Sequence, residues 1–153
     1  MEFAEEHDWV NYPELTNSQL EAYGLQSPHE QITQDFQATV IKVHDGDTVT
    51  LRCNFRDFDF PLRFSNIDAP ELNTGSDEAR DWLKNQIEGE EVQIRINTKN
   101  RVEKWGRLLG DLVYCGMSMG DAEMSLGLAV PYGKKQEGEI PNADKYLSAG
   151  EIK

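Results

Sequence analysis

The sequence is short of several things, and each shortage removes a class of protein. Only two cysteines, Cys53 and Cys115, occur among 153 residues, too few for a disulfide framework. Both fall in strand-like runs and read as small, buried apolar side chains. No apolar run reaches the roughly 18 residues a membrane helix needs, so no membrane span is expected. The opening "MEFAEEHDWV" is acidic and has no apolar signal core. No secretion signal is therefore expected, and a cytoplasmic protein or a part of a larger assembly is the reading. Positive charge is scarce: 15 Lys and Arg stand against 28 Asp and Glu, a formal net charge of −13. A protein that coats nucleic acid without specificity needs the opposite balance, because phosphate attraction dominates such binding.

The shortage of bases is uneven. Residues 1–37 hold eight acids and neither Lys nor Arg. They read as an acidic arm ahead of a folded domain over 38–153. Phe3, Trp9, Tyr12, Tyr23 and Phe36 set the arm apart from a purely disordered tail. Thr16, with Gln19 three residues on, forms a capping box that predicts a short helix. The arm has two candidate roles. It can dock a protein partner, or it can lie across the stretch 99–107 in place of nucleic acid. That stretch carries Lys99, Arg101, Lys104 and Arg107 against Glu103 alone.

From Phe36 the pattern turns to period two. "ATVIKV" reads as a strand. In "TVTLRC", Val49, Leu51 and Cys53 face one side and Thr48, Thr50 and Arg52 the other. Asp45-Gly46 between them is a strong hairpin signal. "DFDFPLRFSNI" continues the meander, with Phe58, Phe60, Leu62 and Phe64 on one face, Arg63 on the other, and Pro61 suited to an edge or bulge. Ser76 can cap a helix over "DEARDWLKNQIEG", whose stripe is Ala79, Trp82, Leu83 and Ile87, with Gly89 as its stop. "EVQIRIN" and "RLLGDLVYC" read as two more strands, Gly110 marking a bulge in the second. "MGDAEMSLGLA" reads as a short helix, and residues 142–153 hold another turn or two. The class is mainly β with helices (α+β): a five-stranded OB-like barrel with two to three short helices, the order set by a helix between the third and fourth strands.

The acids fall where this meander would gather them. Asp45 and Asp47 flank a turn, and Asp68 and Glu71 lie in "IDAPE", where Pro70 stiffens the chain between them. The start of the second strand lies near the end of the third, so Asp47 and Asp68 should be neighbours. Paired carboxylates raise each other's pKa unless a cation sits between them. Hard oxygen donors without a Cys/His set suit Ca²⁺ or Mg²⁺ better than zinc. Arg63 and Arg107 supply planar forks for phosphate. A divalent cation, a spare carboxylate in Glu71 and two arginines suit phosphodiester hydrolysis. Each piece has a plainer reading: "DGD" as a hairpin tip, "DAPE" as a loop, a strand arginine as a solvated face. Their joint placement favours a site. His44 is assigned no role.

"DGDTV", "PLRFSNIDAPE" and "EKWGRLLGDLVY", in that order, resemble the staphylococcal-nuclease-like (thermonuclease) family over roughly residues 38–135. "LGLAVPY" resembles that family's stretch after its second helix. The resemblance implies an OB-like barrel and a Ca²⁺-dependent nuclease acting on DNA or RNA, with Mg²⁺ or Mn²⁺ as alternatives. By the same resemblance, Asp47 and Asp68 would bind the metal directly, with the Ala69 carbonyl as a further ligand and Asp45 in the outer sphere. Glu71 would act as general base, Arg63 and Arg107 would hold the scissile phosphate, and Lys104 and Tyr132 would bind substrate. The products would carry 3′-phosphate ends. Alanine follows Asp68 where the founding member has threonine, and the loop after Glu71 is shorter. A catalytically inactive barrel used for binding or assembly, docked through residues 1–37, is the alternative.

Overall fold

The alternating run from Phe36 folds as an antiparallel meander: β1 (Phe36–Asp45), β2 (Thr48–Arg52) and β3 (Phe60–Phe64). The structure, a computed structural model, describes residues 7–70, 75–103 and 106–132. After the meander come β4 (Ile67–Asp68), β5 (Glu91–Arg95), β6 (Leu108–Tyr114), β7 (Met117–Ser118) and β8 (Val130–Pro131). The main sheet runs β3-β2-β1-β5-β6-β7, and a parallel pairing of β3 with β6 closes the first five strands into a barrel. The described residues add three helices: α1 (Asn17–Tyr23), α2 (Ser76–Ile87) between β4 and β5, and α3 (Met119–Ser125). This is the OB-like α+β barrel that the strand order predicts. Residues 142–153, with their expected helical turn, lie outside the described residues.

Apolar alternation places the core as expected. Val40, Val49, Leu51, Leu62, Ile94 and Leu112 have no exposed surface. Leu83 and Ile87 of α2 are equally buried against the barrel. Truncating such a residue to alanine costs about 2–5 kcal/mol. Pro61 sits one residue before the parallel pairing begins at Leu62, where its missing N–H takes no ladder bond from β6.

Three local expectations need correction. Ser76 is the first residue of α2, not its cap; Gly75 holds the cap position at φ 94 with no side-chain hydrogen bond. Gly110 marks a close approach instead of a bulge, since a Cβ there would meet Ile94 Cγ2 at 2.7 Å and Leu62 Cδ1 at 3.1 Å inside the barrel. The register shifts lie in β1, between Val40 and Lys42 and between Val43 and Asp45. Cys115 is exposed while Cys53 is buried. Cys115 and Gly116, at φ 51 and 78, form the two-residue turn between β6 and β7, so turn geometry outweighs the apolar character of the thiol.

The N-terminal segment is fastened to the barrel. The capping box holds α1: Thr16 Oγ1 accepts from the Gln19 N–H, and the Gln19 side chain accepts from the Thr16 N–H. Leu15, Leu25 and Ile32 are buried. Glu14, with no exposed surface, lies 2.8 Å from Arg56 Nη2 and 3.2 Å from Arg101 Nη1, and accepts from the Ile32 N–H at 2.8 Å. Arg101 also donates to the Leu15 and Ile32 carbonyls. Arg56 stacks over Phe60, 4.7 Å from the ring centre. The segment does reach the basic stretch, but through a buried clamp on Arg101, which salt screens little.

Candidate active site

Register brings the two acidic motifs together. Thr48 pairs with Arg63 across β2 and β3, which sets Asp47 beside the end of β3. The chain then runs through β4, where Asp68 pairs with Val130 of β8. That short pairing places Tyr132 at the site, its N–H donating to the Asn66 carbonyl at 3.0 Å. Asp47 Oδ2 accepts from the Ala69 N–H at 2.9 Å and Oδ1 from the Thr48 hydroxyl at 3.0 Å. The Asp47 N–H donates to Asp45 Oδ1 at 3.0 Å, closing the turn on itself.

Arg63 is the hub. It does face away from Phe60, Leu62 and Phe64, yet it is buried, because β4 and Tyr132 cover that side. Its Nη2 lies 2.5 Å from Asp68 Oδ1 and 3.3 Å from Asp47 Oδ2. Its Nη1 donates to the carbonyls of Phe64 at 2.7 Å and Ile67 at 2.8 Å. The guanidinium lies 5.4 Å from the centre of the half-exposed Tyr132 ring. Arg107 enters just ahead of β6 with its fork taken by the Glu103 carboxylate. That pairing holds it firmly charged, and the Asp47 and Tyr12 side chains are near enough to add to the effect. Glu71 and Lys104 lie outside the described residues.

The charges are uneven. Burial disfavours the Asp47 charge, but the Arg63 guanidinium and the hydrogen bonds outweigh it and hold the carboxyl below its ordinary range. Asp45 goes the other way: burial, then the Asp47 charge, push it up to about 6. A third carboxyl, Glu123 of α3, escapes the sequence reading altogether. It has no exposed surface, and among the described residues neither oxygen has a hydrogen-bond partner. Burial, then the charges of Asp47 and Asp45, raise it well above its ordinary value. The signal in the sequence is an acid four residues after Met119, on the buried face of a short helix. His44 is exposed at the end of β1, with Nε2 2.6 Å from the Thr50 hydroxyl.

Gly46 shows why the turn is glycine. Its φ lies outside the left-handed region, so a hairpin demand for positive φ is not the reason. A Cβ there would meet Glu123 Oε1 at 2.7 Å, Ala79 Cβ at 2.9 Å and Ala69 Cβ at 3.0 Å. Gly46→Ala should therefore lower stability by about 1–3 kcal/mol through overpacking. In urea melts, the loss should shrink when Glu123 is also cut to alanine, since neighbouring substitutions couple.

The donors fit a hard divalent cation. All are oxygens, and among the described residues nothing donates to the buried Glu123 oxygens. Among the described residues, no three His, Cys, Asp or Glu converge in a manner to hold a metal. Direct ligation would therefore rest on Asp47, Asp68 and a main-chain oxygen such as that of Ala69.

A family model described as staphylococcal nuclease homologue matches residues 61–151. The match takes in Arg63, Asp68, Ala69, Glu71, Lys104, Arg107 and Tyr132, whereas Asp45 and Asp47 precede it and join the site through the β2–β3 register. No curated protein matches the chain. Because the matched stretch spans more than half of the 153 residues and the barrel closes as that fold requires, the chain belongs to the staphylococcal nuclease homologue family.

Proposed function

We propose that the protein is a cation-dependent nuclease that hydrolyses phosphodiester bonds of DNA or RNA and leaves 3′-phosphate ends. The observation that carries this is the meeting of Asp47 and Asp68 on one buried guanidinium, 3.3 and 2.5 Å from Arg63 Nη2. Asp47, Asp68 and the Ala69 carbonyl would hold Ca²⁺, with Mg²⁺ or Mn²⁺ as alternatives. When bound, such an ion supplies charge for the phosphate oxygens and a polarised water.

The protein groups have separable tasks. Asp45, tied to the Asp47 N–H, keeps the turn in shape. Arg63 shares its N–H donors between the two carboxylates, and a phosphate arriving beside them competes for the same fork. Arg107 meets the phosphate from just ahead of β6 by exchanging Glu103 for it. Together the arginines stabilise the charge that builds in the transition state. Glu71, three residues beyond Asp68, takes a proton from the attacking water. Tyr132, half exposed against Arg63, offers a face on which a base stacks, and Lys104, three residues before Arg107 in the sequence, adds charge.

A barrel kept for binding or assembly alone has no use for paired, buried carboxylates. A protein partner docking on residues 1–37 is compatible with either role. It would meet the exposed side of the segment, since Leu15, Leu25 and Ile32 are already buried in this chain.

The test is product analysis on single-stranded and plasmid DNA and on RNA, with Ca²⁺ or chelator. The wild type should release 3′-phosphate ends, and Glu71→Gln should be slower by about 10²–10⁴-fold, the usual weight of a general base. Equal rates for the two proteins would remove Glu71 from the mechanism, and 5′-phosphate products would overturn the assigned bond cleavage.

A further inference from the structure

Glu123 is the buried acid that the mechanism above does not use. Its carboxyl lies beneath the Asp45-Gly46-Asp47 turn, with Oε1 2.7 Å from the point a side chain at position 46 would occupy. The missing side chain of Gly46 is what gives it room. Among the described residues neither of its oxygens meets a donor, and no surface of the residue is exposed. A carboxyl in that condition lowers stability, whereas an apolar side chain of similar size would pack there at no such penalty.

The charges it feels most are those of Asp47 and Asp45, which oppose its own, and then that of Arg63, which favours it. Arg63 is already shared between Asp47 and Asp68, and the fork of Arg107 is held by Glu103. The group is thus a buried acid beside a cluster already rich in acids, and among the described residues no cation hydrogen-bonds to it. Such an arrangement is relieved either by a proton or by a cation from outside.

We propose that Glu123 is a further carboxylate of the cation site, acting from below the Gly46 turn through water of the cation's hydration sphere and not by direct ligation. Indirect contact follows from the lack of any converging set of three ligating side chains among the described residues. Glu123 is then a positioning residue: it raises affinity for the cation and touches neither substrate nor reacting atoms. This inference rests on the cation reading above.

The test uses the full chain without nucleic acid. Ca²⁺ affinity is measured by calorimetry and by the Ca²⁺-dependent rise in stability for wild type, Glu123→Gln and Glu123→Met. In chelator, Glu123→Met should be more stable than wild type, the reverse of what a purely structural acid would give. Its Ca²⁺ affinity should fall by about 10–100-fold, the range seen when groups supporting metal ligands are removed. Glu123→Gln, which keeps the shape and a hydrogen-bonding oxygen, should fall between the two. Unchanged Ca²⁺ affinity in both variants, or loss of stability in chelator for both, would overturn the role of Glu123. Absence of any Ca²⁺, Mg²⁺ or Mn²⁺ response in the wild type would instead overturn the cation reading itself.

Discussion

Asp47→Asn is expected to leave the barrel folded and to slow cation-dependent cleavage by about 10³-fold or more, a loss of about 4 kcal/mol of transition-state stabilisation. The asparagine oxygen can still accept from the Ala69 N–H, so the link between the β1–β2 turn and the chain after β4 survives. The charge is what disappears. Arg63 keeps Asp68 but loses its second carboxylate, and on the proposed function the cation would lose one of its two carboxylates. Losing a hydrogen bond to a charged partner should also lower stability by about 1–3 kcal/mol. Its pH dependence has a definite sign. The Asp47 carboxyl titrates below its ordinary range, so its contribution is complete at neutral pH and is lost as pH falls through that lowered value. Asp77→Asn is the control, since Asp77 is an exposed acid at the start of α2 and pairs with Arg80. Rates of the three proteins, taken where melts show each folded, check the expectation.

Glu14→Ala should be the most destabilising single change in the N-terminal segment, at about 3–5 kcal/mol. Removing it leaves Arg56 and Arg101 buried with no carboxylate between them. The Ile32 N–H loses its acceptor as well. Glu14→Gln should cost less, because the amide oxygen can still serve Ile32. Urea melts at low and high salt measure both: the loss should be nearly independent of salt, as befits pairs shielded from solvent. A loss below about 1 kcal/mol would mean the contact is no stronger than a surface ion pair. The clamp joins residues 87 positions apart, so loss of Glu14 should loosen the whole segment from the barrel.

The barrel was legible because period-two alternation and short connections set its register. Once β2 and β3 pair with Thr48 opposite Arg63, the approach of Asp47 to Asp68 follows. The capping box of α1 was equally legible, being local and reciprocal. What escaped depends on contacts distant in sequence. The glycine at position 46 signals a turn, yet its reason is Glu123 and Ala79 packed against it. Gly110 mimics a bulge because a strand interrupted by glycine looks the same whether the ladder kinks or another strand presses close. The four bases of 99–107 read as one patch, but Arg101 is spent on Glu14 and Arg107 on Glu103. Glu123 escaped because an acid in a short helix is usually solvated, and only the packed structure shows this one to be buried.

The most direct test is the initial rate of cleavage of single-stranded DNA by wild type and Asp47→Asn, titrated with Ca²⁺, Mg²⁺ and Mn²⁺ and reversed with chelator. A saturable, chelator-sensitive rate in the wild type that falls by about 10³-fold in the variant is the result expected. No cleavage with any of the three ions, or a rate indifferent to chelator and to the loss of Asp47, would contradict a cation-dependent nuclease.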